Sequence, residues 1–204
     1  MSGVRGLTSG DVLLDDSRPG WWLVDRVADG SGRVLAGPYA DRTEAAWVAA
    51  QQGAEPGVRP EYGARRSDGV LSPRPSPADR AWFDLLEEQL DRLPYGWDAG
   101  LADDDPLLTL VVELTAALTD AGLHLHDPIL GTGGVCLTPE PVLGGVVVSW
   151  RQHDRAHADQ APGTEPAASV QRVMSHALAE VLELRSFTGD ELPGSTGVVV
   201  RWRE

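Results

Sequence analysis

Hydrophobic residues along the chain fall into two kinds of run. The first kind does not alternate with polar residues. Gly145-Val146-Val147-Val148-Ser149-Trp150-Arg151 is repeated almost letter for letter by Gly197-Val198-Val199-Val200-Arg201-Trp202-Arg203, with Ser149 against Arg201 as the single difference. Three successive valines put apolar side chains on both faces of a strand, so each copy predicts a strand covered on both sides. The flanking residues do not match, and valine runs arise readily from strand propensity, so convergence explains the echo better than duplication.

The second kind of run repeats every three to four residues. Trp82, Leu85, Leu86, Leu90 and Leu93 form one stripe, with Asp84, Glu87, Glu88 and Asp91 opposite, which predicts a helix over about 77–93. Ser76 is placed as its N-cap, Pro77 as its first residue and Pro94 as its stop. Asp103-Asp104-Asp105-Pro106 opens a helix to Ala121 that Gly122 ends; it is apolar nearly all round and so belongs at the centre of a core. A third helix is predicted over 166–185, burying Val170, Val173, Met174, Ala177, Leu178, Val181 and Leu182. Leu123–His126 reads as a short strand. Gly133–Thr138 and Gly144–Arg151 read as a hairpin joined across Pro139-Glu140-Pro141. Residues 78–204 are thus expected to form an α+β main domain, in the order α-α-β-β-α-β, with helices packed on a mostly antiparallel sheet.

Residues 1–19 read as a flexible tail. Trp21–Val27 and Arg33–Tyr39 predict two strands across the turn cluster Asp29-Gly30-Ser31-Gly32, with Pro38 at an edge or bulge. Asp41 and Glu44 have capping-box spacing and start a helix that Gly53 ends. Val58–Val70 supplies a further strand, broken at Gly63 and Asp68-Gly69. Residues 20–71 therefore make a small ββα(β) module, and 72–77 a Pro-rich joint. In Trp22, Val24, Tyr39, Glu44 and Ala45 this module resembles the small uncharacterised modules common in actinobacterial proteins. The resemblance covers the N-terminal module alone and implies a fold, not an activity.

Charge sharpens the division. Residues 1–75 hold 10 acidic and 9 basic groups, and residues 76–204 hold 21 and 8, within a chain of net charge −14. Direct nucleic-acid binding is therefore not expected. All 17 basic residues are arginine, which removes lysine-dependent phosphate loops and Schiff-base chemistry. Cys136 is the one cysteine, so no disulfide forms within the chain. No apolar run is long enough to span a bilayer and no leader pattern stands at the N-terminus, so a soluble cytoplasmic protein without membrane contact is expected.

Candidate chemistry is sparse. His124/His126 at strand spacing and His153/His157 at helical-turn spacing each put two imidazoles on one face, with Asp154 beside them; that set suits a divalent metal, the one cofactor considered. His176, between Arg172 and Glu180, reads as a surface ion-pair ladder. Gly131–Gly134 leads into a strand, not a helix, and reads as a turn. Cys136 reads as a buried small hydrophobe. An acidic face of Asp84, Glu87, Glu88, Asp91, Trp97, Asp98, Asp103 and Asp104 is the candidate partner surface. Two Trp-Arg pairs, 150–151 and 202–203, are placed to stack if the echo strands are neighbours.

No motif assigns catalysis. The expected function is docking of a basic protein partner through the acidic face, in the manner of an inhibitor or immunity protein. The alternatives are a metal-dependent enzyme built on His124, His126, His153 and His157, or a self-associating structural protein using a sheet edge at 197–203.

Overall fold

A computed structural model describes residues 18–26, 32–55, 57–157 and 165–203, with backbone alone for 156, 157 and 165–167. The predicted turn at 29–32 lies mostly outside the described residues, as does nearly all of the tail. The fold class is α+β, with four helices and two four-stranded antiparallel sheets among the described residues. The chain divides into two compact units, Met1–Ala81 and Trp82–Glu204.

In the first unit, β1 (Gly20–Arg26), β2 (Gly32–Tyr39), β3 (Val58–Arg65) and β4 (Leu71–Pro73) form a sheet in the order β2-β1-β3-β4. The central strand β1 buries Trp22, Leu23 and Val24, and Leu71 joins the core. The indole Nε1 of Trp22 donates to the carbonyl of Gly63 at 3.0 Å, so the ring is buried without an orphan donor. Pro38 sits on edge strand β2, where the register with β1 is irregular. Helix α1 (Arg42–Gln51) starts on the expected cap: Asp41 Oδ1 accepts from Glu44 N at 2.8 Å, and the Glu44 carboxylate reaches back to Ala40 N at 2.9 Å. The stretch read as a Pro-rich joint overlaps β4, which pairs with β3, at Ser72 and Pro73. Proline is tolerated there because an edge strand leaves one row of N–H groups without a ladder partner.

Ser76 and Asp79 cap α2 (Pro77–Leu90) reciprocally, Ser76 N to Asp79 Oδ2 at 2.8 Å and Asp79 N to Ser76 Oγ at 3.1 Å. The second unit continues with α3 (Pro106–Asp120), β5 (Gly134–Glu140), β6 (Gly145–Arg151), α4 (Glu165–Glu183), β7 (Phe187–Glu191) and β8 (Val198–Trp202). Short 3₁₀ turns occupy 141–143 and 154–157. Strand order is β5-β6-β8-β7. Helices α3 and α4 pack on one face. Leu110, Val111, Leu114 and Leu118 of α3 meet Val135, Leu137, Val146, Val148, Val198 and Val200 of the sheet, with Leu178 and Leu182 of α4.

The two echo strands are neighbours, paired Val146–Val200, Val147–Val199 and Val148–Val198. The second copy is buried on both faces; in the first, Val147 is only half-buried. Antiparallel pairing sends the two Trp-Arg ends in opposite directions, so they do not stack on each other. Trp202 Nε1 donates instead to Glu113 at 2.6 Å, and Arg203 donates to the carbonyls of Glu183 and Phe187. The sheet edge expected at 197–203 does not exist: β8 is paired on one side with β6 and on the other with β7, a strand the hydrophobic pattern did not reveal.

Helix α4 is rotated from its expected stripe. Val173 is 67% exposed, Val170 and Ala177 are exposed too, and Ser175 is buried in their stead. At 3.6 residues per turn Val173 lies roughly 140° around the helix from Leu178, so packing of Leu178 and Leu182 on the sheet excludes it. Helix α2 stops at Leu90, short of the expected end at 93; Leu86 within it and Leu93 just after it are buried as expected, but Gln89 takes a place on the buried face and Leu85 is exposed. Among the described residues, no helix is long and apolar enough to cross a membrane.

Candidate functional site

The histidine segments converge on the glycine loop. Residues 124–126 lie along β5, with His126 N donating to Val135 O at 2.9 Å and Val135 N to His124 O at 3.0 Å. From the other side, Asp154 N donates to Gly131 O at 3.0 Å. Three glycines permit this closure. A Cβ on Gly131 would stand 2.5 Å from Asp154 Oδ2, one on Gly133 2.8 Å from His153 N, and one on Gly134 2.6 Å from His126 N. Gly131 also holds φ +63°, which side-chain-bearing residues rarely adopt.

The imidazoles do not converge with the backbone. His126 Nδ1 stands 2.6 Å from the Thr132 carbonyl; a carbonyl only accepts, so Nδ1 carries a proton and only Nε2 is left to face another partner. His153 Nδ1 accepts from Arg155 N at 3.0 Å, which puts the neutral ring's proton on Nε2 and leaves neither nitrogen open to a metal. His124 is exposed. The turn 154–157 is 3₁₀, with three residues per turn, so positions 153 and 157 lose the α-helical spacing that was to align them. The side chain of His157 lies outside the described residues, as does Asp159. Among the described residues no three His, Cys, Asp or Glu side chains are arranged to hold a metal ion.

Beside this loop Asp127 builds a turn, its Oδ1 accepting from Ile129 N at 2.8 Å and Leu130 N at 2.9 Å. The backbone N–H of Leu130 holds the Asp127 carboxyl below its usual range against desolvation, with the N–H of Ile129 adding to it. Ile129 and Leu130 point to solvent. A small cleft of about 60 Å³ lies alongside, between Leu93, Pro94, Leu125, His126 and β5. Cys136 opens onto it half-buried; desolvation pushes its thiol up, outweighing Arg151, so it is a poor nucleophile.

The acidic residues are placed differently. Asp84, Glu87 and Asp91 on and just after α2, and Asp98, Asp103 and Asp104 in the following loop, are all exposed. None of these six has an ion-pair partner among the described residues, whereas Glu88 meets Arg92 at 3.1 Å. Trp97 is not part of an exposed patch; it is half-buried against the core. Asp105 has a structural role, its Oδ1 capping α3 through Leu107 N at 2.9 Å. His176 Nε2 and Glu180 form the expected surface pair at 3.4 Å.

A larger groove of about 870 Å³ lies between α4 and the β7–β8 turn. Sequence reasoning missed it because β7 was not visible. The available signal was the run of small residues Gly189, Gly194, Ser195 and Gly197. Comparison with protein-family models, curated proteins and solved structures gives no match.

Proposed function

We propose that this chain is a non-catalytic docking protein whose second unit receives a basic protein partner. The observation that supports it is the set of six exposed carboxylates on and just after α2 and in the 98–104 loop, none with an ion-pair partner among the described residues. The unit Trp82–Glu204 carries 20 acidic and 7 basic residues, so carboxylates outnumber the cations that could offset them. Exposed unpaired charge of one sign costs the fold self-repulsion and accelerates encounter with an opposite charge. An inhibitor or immunity-type protein that neutralises a basic toxin or nuclease is the concrete form of this reading.

The test is salt-dependent capture from the source cell on immobilised wild-type chain and on the triple variant Asp84→Asn, Glu87→Gln, Asp91→Asn. A partner eluted by salt and bound more weakly by the variant supports docking. A partner retained unchanged at about 1 M salt, where the screening length falls to ~3 Å, counts decisively against it.

A further inference from the structure

Helix α4 carries two apolar stripes, and the sheet covers one of them. Leu178 and Leu182 are buried against the sheet. Val170, Val173, Met174, Ala177, Val181 and Leu184 form the second stripe. At 3.6 residues per turn they fall in an arc of roughly 100°, centred about 110° round the helix from the sheet face. Leu184 follows the helix end but continues its last turn, its N–H donating to Glu180 O at 3.2 Å. Val170 is 47% exposed, Val173 67% and Leu184 86%; Ala177 is exposed too, and Met174 and Val181 are half-buried. The spacing is i, i+3, i+4, i+7, i+11 and i+14, by which one helix meets another along its length.

Three features of the stripe match it to a second copy of itself. The first is area. Side chains of this number and exposure offer roughly 300–400 Å² of apolar surface, the size at which an exposed patch marks an interaction site. A polar rim of similar size brings the contact to about 800 Å² per partner, as a specific dimer needs. The second is shape. Ala177 stands midway between Val170 and Leu184. Two stripes crossing there set their smallest side chains together and let the helix axes approach to about 8 Å. Antiparallel, Val170 of each copy meets Leu184 of the other, and Val173 meets Val181. The third is charge. One flank of the stripe carries Arg172 on its N-terminal half, held to Ser169 Oγ at 3.2 Å, and the exposed Glu180 and Glu183 on its C-terminal half. An antiparallel pair sets Arg172 of one copy against Glu180 and Glu183 of the other, whereas a parallel pair sets each charge against its like.

We infer that the outer stripe of α4 is a self-association face, through which two copies of this chain pair with antiparallel α4 helices about a twofold axis at Ala177. Such a contact is isologous: each copy offers the same stripe, and the pair closes without leaving a stripe free for a third. The inference is independent of the basic-partner reading, whose carboxylates lie on and just after α2.

The test is sedimentation velocity of the full chain from about 1 μM to about 1 mM, at about 0.15 M salt. A reversible monomer–dimer transition at micromolar concentration is expected. A monomer throughout overturns the inference, and is the result if the stripe serves a different protein. The double variant Val173→Ser, Leu184→Ser removes two exposed side chains, so it should keep the wild-type circular dichroism and dimerise at least about tenfold more weakly. Charge variants give a second reading that does not depend on that variant folding. Arg172→Glu, and separately Glu180→Arg with Glu183→Arg, should each weaken the dimer, while an equimolar mixture of the two should pair at least as well as wild type. Orientation is read by oxidative cross-linking in a Cys136→Ser background. Val170→Cys chains should link to Leu184→Cys chains, and neither to itself, because like positions stand about 21 Å apart at ~1.5 Å rise per residue. A dimer unaffected by the double variant, a mixture that does not recover, or Val170→Cys linking to itself would each overturn the antiparallel α4 pair.

Discussion

Arg201 marks the single position where the two valine strands differ, and replacing it should be unexpectedly costly for a half-exposed side chain. Its Nε and Nη2 donate to the Leu143 carbonyl at 3.2 and 2.8 Å, and Nη1 meets Asp190 Oδ2 at 2.5 Å. The stem crosses Gly145, where a Cβ would stand 3.1 Å from Arg201 Cγ. Arg201→Met keeps the stem and removes the polar contacts. A hydrogen bond from a charged donor nets ~1.5–3 kcal/mol. The Arg201 side chain is 37% exposed and that of Asp190 72%, so the low end applies and the ion pair adds little. The expected loss is about 1.5–2.5 kcal/mol. Arg201→Ala also uncovers the sheet beneath the stem. At ~25 cal/mol per Å² over roughly 60 Å², that adds about 1.5 kcal/mol, for a total of about 3–4 kcal/mol. Urea denaturation followed by tryptophan fluorescence should show the two midpoints falling in that order with unchanged slope. A methionine variant as stable as wild type would mean the carbonyl contacts contribute nothing. An alanine variant no worse than methionine would mean the stem covers nothing.

Three further outcomes follow from the fold. The carboxyl of Glu61 is held low chiefly by its hydrogen bond from Arg26, at 2.7 Å, with Arg59 adding to it. Its folded pKa lies below the unfolded one, so its contribution is present above about pH 4.3 and is lost as pH falls through the folded value; Glu61→Gln should flatten that acid limb in a pH series of denaturation curves. Gln89 is buried and its Oε1 accepts from Leu125 N at 2.9 Å, while its Nε2 has no partner among the described residues. Gln89→Met removes the unpartnered amide but orphans the Leu125 N–H, so a net loss of about 1–2 kcal/mol is expected, with faster amide exchange at Leu125. Gly131→Ala forces a side chain into a left-handed backbone beside Asp154 and should cost about 1–2 kcal/mol, read by thermal melting.

Helix ends were the most legible part of the fold, because capping is local chemistry. Asp41 with Glu44, Ser76 with Pro77, and Asp105 before Pro106 all start helices in the structure, and Gly53 and Gly122 follow helix ends at positive φ. Features decided by partners were not legible. Phe187-Thr188-Gly189-Asp190-Glu191 holds one large apolar residue and no strand pattern; it is a strand because β8 offers it a ladder. The same holds for Leu71–Pro73 against β3. Helix α4 was readable as a helix but not in its rotation, since Val170 and Val173 carry the same apolar signal as Leu178 and only the sheet chooses between them. The histidine pairs were visible as letters, yet their geometry depended on a 3₁₀ turn and on hydrogen bonds to Thr132 and Arg155 that no spacing rule encodes. The groove depended on β7 and was hidden with it.

The pairing of Val147 with Val199 has a further consequence. Both are the third residue of their heptads, so the two copies are related by a local twofold axis passing between them. Either strand therefore complements its twin, and equally complements the same strand of another molecule. An unfolded chain can complete this ladder with itself or with a neighbour, and the valines cannot tell the two apart. What selects the intramolecular product is flanking structure: β5, which carries Pro139, closes one side, and the short β7, ending in Asp190 and Glu191, closes the other. Domain exchange during refolding at high protein concentration is thus the failure to expect of this sheet, and the two outer strands are what stands against it.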